Sequence, residues 1–139
     1  MDSLETKWTL PDISRAIIGC SILAQLTLMF IEQQPWNGGL VSLLSWLLML
    51  FVTLIPSLLL GGCSFAVNGR SIKSWTVFGL SILLIATTIP VYINTFFLIA
   101  EIPKNAQAGV AILLLPIYQL AGGSILGGIG WAVGTYYKR

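Results

Sequence analysis

The chain has 139 residues, 56% of them hydrophobic and only 9% charged, with a net charge of +2 and a mean hydropathy of +0.90. Soluble domains carry about 25% charged residues, so this composition excludes an ordinary water-soluble globule and makes the lipid bilayer the first expected partner. A surplus of two positive charges is too small for a nucleic-acid binder, and no nucleic-acid partner is expected.

Residues 1–15 are short and polar, and read as a cytoplasmic N-terminal tail or a brief interfacial helix entered through Pro11-Asp12. The first apolar run, residues 16–31, spans a bilayer marginally, with Gln25 as its main polar interruption. No small-x-small cleavage site follows it in Glu32-Gln33-Gln34-Pro35-Trp36, so it reads as an uncleaved anchor. The second run, residues 40–60, would cross about 30 Å at the helical rise. Gly61-Gly62-Cys63-Ser64 is expected to end it. Leu60-Gly61-Gly62-Cys63 imitates a lipoprotein box, but it follows a second span and not a single N-terminal one.

Asn68-Gly69-Arg70 is a turn signal in the next connection. The third run covers residues 75–100 and contains Pro90 and Asn94. After a short link comes the fourth run, residues 108–134, and residues 136–139 form a second cytoplasmic end.

Basic residues set the expected orientation. Lys7 and Arg15, Arg70 and Lys73, and Lys138 and Arg139 fall on one side, against Lys104 alone on the other. The positive-inside rule then puts both termini and the 61–74 loop in the cytoplasm. Trp8, Trp75, Trp131, Tyr136 and Tyr137 would form a belt there, with Trp36, Phe96 and Phe97 at the opposite face. The fold expected is an all-α polytopic transmembrane bundle of four helices with short loops, in a bacterial inner membrane.

The four runs contain no Asp, Glu, Lys, Arg or His, and the whole chain has no histidine. Proton relays and ion-coupled transport use such groups inside the membrane, and histidine is the commonest general base and metal ligand. Cys20 and Cys63 have no CxxC or metal-ligand spacing. The expectation is a non-catalytic protein with no cofactor and no metal.

Three amides remain: Gln25, Asn94 and Gln119. A buried amide in lipid must find partners, and Gln25 and Gln119 are expected to bond to each other across the first and fourth helices. Pro56, Pro90 and Pro116 each free a carbonyl one turn earlier. Ser57, Thr87 and Thr88 are near enough to serve those carbonyls. Kinks at Pro90 and Pro116 would open a shallow outward cavity.

The strongest pattern is on the fourth helix. Pro116, Gln119, Gly123, Gly127, Gly130 and Gly134 fall in one stripe about 80° wide at 100° per residue. Each glycine costs roughly 1 kcal/mol in a soluble helix, but in a bilayer a bare backbone lets another helix approach closely. Ser124, Gly128 and Ala132 make a second small-residue row on a neighbouring face. Two such faces suit a subunit, assembly factor or immunity-type inhibitor within a membrane protein complex, its partner another subunit or a second copy. A homo-oligomeric pore for a small neutral or weakly polar solute, lined by the amides, is the other reading. Close packing is expected along the glycine half and looser packing along the proline half.

Overall fold

The computed structural model describes residues 8–33, 35–69, 71–94 and 106–137, with the side chains of residues 32–33, 35–36 and 106–112 left out of the description. Helix α1 covers Leu10–Gln33, and a short 3-10 turn at Pro35–Gly38 leads into α2, Gly39–Phe65. Helix α3 covers Ile72–Ile93 and α4 covers Ala106–Tyr136. All four are long and apolar enough to cross a membrane. The third run beyond residue 94, with Phe96, Phe97 and Lys104, lies outside the described residues, as do Lys7, Arg70, Lys138, Arg139 and the Trp36 side chain.

Helix α1 starts six residues before the expected span, for a local reason. The Thr9 backbone N–H donates to the Asp12 carboxylate at 3.1 Å, and the Thr9 hydroxyl donates to the same oxygen. This is the reciprocal half of a capping box, which satisfies an orphan donor at the helix start. Helix α2 runs through Gly61 and Gly62 to Phe65 and does not stop at residue 60. Gly61 sits beside α1, where a Cβ would come within 3.8 Å of Ile18. Arg15 Nη1 pairs with Asp12 at 3.0 Å, while its Nη2 donates to the Ser64 carbonyl at 3.1 Å. The guanidinium also lies 4.6 Å from the centre of the Phe65 ring. One side chain on α1 thus closes the C-terminal end of α2. Gly69, with φ +69°, makes the following turn, and Ser71 caps α3 by accepting from the Ser74 N–H at 3.2 Å.

Successive helices are antiparallel. Arg15 meets Ser64 at one end of the α1/α2 pair, and the Trp46 indole N–H donates to the Met29 carbonyl at 3.2 Å at the other. Helix α1 makes its most extensive contact with α3, to which it runs parallel, and α4 packs on α3 and α2. Helix α3 is therefore the central element.

The distribution of polarity is inverted relative to a soluble bundle. The fully covered positions include Ser14, Ser21, Gln25, Thr53, Ser57, Ser64, Ser74, Ser81 and Thr88, with Ile18, Met29, Val77, Leu84 and Tyr92 between them. Leu44, Leu48, Phe51, Leu58, Ile125 and Ile129 face outward. Apolar surface carries no penalty against lipid, whereas small residues let helices approach. The buried hydroxyls recur every seven residues: Ser14 and Ser21, Ser57 and Ser64, then Ser74, Ser81 and Thr88. Seven is the repeat that keeps one seam facing a partner in left-handed packing. Ser14, Ser64 and Ser81 donate to the Leu10, Gly61 and Val77 carbonyls at 3.0, 2.6 and 2.7 Å. These hydroxyls are satisfied within their own helices, so burying them leaves no orphan group.

Ser81 offers a direct check. Ser81→Ile should overpack the α1/α3 seam and destabilise the bundle by about 1–3 kcal/mol in reversible unfolding in bicelles. The same substitution at Gly79, which is exposed with open space around it, should be tolerated.

Candidate helix-docking groove

The glycine stripe of α4 lies against α3. A Cβ on Gly127 would meet Leu80 Cδ1 at 3.4 Å, one on Gly134 would meet Lys73 Cγ at 2.9 Å, and one on Gly130 would run into the Thr76 side chain. Gly123 has nothing within 4 Å of a Cβ. At the top of the stripe, Gln119 Nε2 donates to both Thr87 Oγ1 and Thr88 Oγ1 at 2.9 Å. Pro116 is buried on the same face.

This geometry corrects the expected Gln25–Gln119 bond. Helix α3 stands between the two amides, and Gln119 takes its partners from there. Gln25 on α1 is 1% exposed, and its Oε1 has no hydrogen-bond partner among the described residues. Asn94 caps the C-terminal end of α3, exposed, with its backbone N–H bonded to the Pro90 and Val91 carbonyls. The three amides do not share one path through the chain.

The prolines also behave differently from expectation. Pro56, Pro90 and Pro116 all lie inside helices. Thr87, however, donates to the Leu83 and Leu84 carbonyls at 2.9 and 3.1 Å, not to the Ala86 carbonyl freed by Pro90. Thr88 accepts from Gln119, and the Ser57 hydroxyl is unpaired. Helical hydroxyls reach their own i−3 or i−4 carbonyl most easily, so Thr87 is already committed.

Among the described residues, a groove opens along the glycine half. A mostly apolar groove of about 1010 Å³ lies between α2, α3 and α4. Pro56, Leu59, Leu60 and Cys63 form one wall; Thr76, Val77, Leu80 and Leu84 form the floor. Gln119, Ser124, Gly128, Ala132 and Tyr136 line the α4 wall. A second recess, of about 560 Å³, borders Ile89, Pro90 and Asn94 at the end of α3. Within the glycine half, the two sides of α4 differ. Helix α4 is close to α3 through Gly127, Gly130 and Gly134, and stands off from α2 through Ser124, Gly128 and Ala132.

At the foot of the groove, Lys73 Nζ lies 4.7 Å from the centre of the Trp131 ring. The lysine stem covers Gly134 and its charge meets the aromatic face, so this contact orients the end of α4 on α3. The α2 wall was legible only as a leucine-rich run. The signal for its inner face was the spacing of Thr53, Ser57 and Ser64, since a hydrophobic run hides which side is covered.

The glycines themselves separate two kinds of position. Gly130→Ala should weaken α3–α4 packing by about 1–3 kcal/mol, with part of the loss recovered by Thr76→Ala. Gly123→Ala should be neutral or stabilising by up to roughly 1 kcal/mol, because the helix propensity gain is unopposed. Unfolding midpoints of the three variants in one detergent decide the point.

No known protein family, curated protein or solved structure matches this chain.

Proposed function

We propose that this protein is a small, non-catalytic integral membrane subunit, assembly factor or immunity-type inhibitor that receives a transmembrane helix of a partner in the α2–α4 groove. The observation carrying this reading is the state of the two small-residue faces of α4. The Gly127–Gly130–Gly134 face is used within the chain by α3, while Ser124, Gly128 and Ala132 are exposed along the groove. In lipid, association between helices depends on close backbone approach and on interhelical hydrogen bonds. The open row supplies the first; Gln119 at its head and Thr135 at its foot supply groups for the second. The partner helix belongs to another membrane protein or to a second copy of this chain. A pore reading has no comparable support: Gln25 is buried inside the bundle, Gln119 is bonded to Thr87 and Thr88, and Asn94 is exposed at the end of α3.

The membrane is proposed to be a bacterial inner membrane with both termini in the cytoplasm. The N-terminal ends of α1 and α3 and the C-terminal ends of α2 and α4 share one end of the bundle, which therefore gathers Arg15, Lys73, Trp75, Trp131 and Tyr136. In a Cys20→Ser, Cys63→Ser background, Asn68→Cys should react with an impermeant maleimide only after the inner face is opened. Asn37→Cys should react in intact cells, and the reverse pattern would invert the topology.

The docking reading makes a separate prediction. A photo-crosslinking residue at Ala132 should form an adduct, in cells, with a transmembrane segment identifiable by mass spectrometry. Gly128→Leu should abolish the adduct without lowering the unfolding midpoint, since nothing lies within 4 Å of a Cβ there. Adducts on lipid alone would defeat this reading.

A further inference from the structure

We propose that the bundle binds one water molecule at the level of Gln25, held by Ser21 Oγ, Gln25 Oε1 and Ser57 Oγ. Residues Ser21, Gln25 and Ser57 are 0%, 1% and 0% exposed, and these three atoms have no hydrogen-bond partner among the described residues. The two serines are exceptions to the local pattern. Ser14, Thr53, Ser64 and Ser81 are equally covered, yet each donates to a carbonyl of its own helix. The Ser21 and Ser57 hydroxyls make no such bond.

The register of the helices brings the three groups together. Ile18 lies by Gly61, and Met29 by Thr53. Between those points Ser57 falls opposite Leu23 and Ala24, within about one helical turn of both Ser21 and Gln25. On α3, Tyr92 is beside Met29, which places Thr88 at the level of Gln25 in the parallel α1/α3 pair.

The chemistry selects water. Gln25 Oε1 only accepts, whereas each serine hydroxyl both donates and accepts. A ligand here must donate to the amide carbonyl and exchange bonds with two hydroxyls, which suits a molecule with two donors and two acceptors. Buried waters typically make about three such bonds. An apolar occupant would leave all three atoms unpaired. Gln119 already donates to Thr88 from the far side, so the water would continue a polar layer from α4 through α3 to α1 and α2.

The test is water-edited solid-state NMR on the whole chain in deuterated-lipid bilayers. Polarisation from water should reach Gln25 Cδ early, ahead of the flanking Leu23 and Leu28 side chains. The Ser21→Ala/Ser57→Ala variant should lose that early transfer while the Gln119 signals stay in place; Ser57→Thr should keep it. If Gln25 Cδ in the wild-type chain lags with its leucine neighbours, the proposal fails, and this comparison needs no variant to fold. A direct Ser21–Gln25 or Ser57–Gln25 hydrogen bond would overturn it equally.

Discussion

Lipid offers no hydrophobic reward for bringing two helices together, and this constraint shapes every interface in the molecule. Leucine against an acyl chain and leucine against leucine are nearly equivalent, so affinity must come from close contact and hydrogen bonding. The chain meets this requirement with serines every seven residues on α1, α2 and α3. A serine is small enough to bring two backbones together, and the hydroxyls of Ser14, Ser64 and Ser81 close on their own helices. The leucines are left to face outward, where they serve as solvent-matched surface.

Helix α3 carries the consequences of that arrangement. One side, with Ser74 and Ser81 covered, belongs to the seam with α1, its principal neighbour. The other accepts the glycine face of α4 at Leu80, Thr76 and Lys73. Serine seams and glycine seams achieve the same approach by different means. A serine keeps more helix propensity than glycine, whereas glycine removes the side chain altogether and costs roughly 1 kcal/mol per position. That cost is offset on α4 where α3 fills the space, at Gly127, Gly130 and Gly134. At Gly123 and Gly128 it is not offset within the chain. The asymmetry is what makes the groove more than an irregularity of packing.

The polar residues inside the bundle divide by how they are satisfied. Gln119 spends its two N–H bonds on two threonines of the adjacent helix, a pairing of the kind worth on average about 0.6 kcal/mol in membrane proteins. Lys73 and Arg15 rest on aromatic rings at helix ends, with long stems covering the backbone beneath. The Ser21, Gln25 and Ser57 group is different in kind, because leaving buried polar atoms unpaired costs about 1–3 kcal/mol each. Its position at the junction of α1, α2 and α3 puts that cost where it bears on the whole bundle.

By itself the sequence determined the solvent and the number of helices, and it singled out the small-residue faces of α4. Those follow from composition and from the period of 3.6, which are local properties of a chain in lipid. It also marked Gln25 and Gln119 as the amides needing partners. Three-dimensional packing decided which helix each face would meet. The stripe from Gln119 to Gly134 turned to α3, and α3 came between the two amides, because a helical face carries no record of its neighbour. One helix end also meets a contact across the fold: α2 runs past Gly61 and Gly62, and Arg15 on α1 donates to the Ser64 carbonyl at its end. The groove exists only because α4 leans toward α3 and away from α2, a choice made by the relative fit of three surfaces and visible in none of them alone.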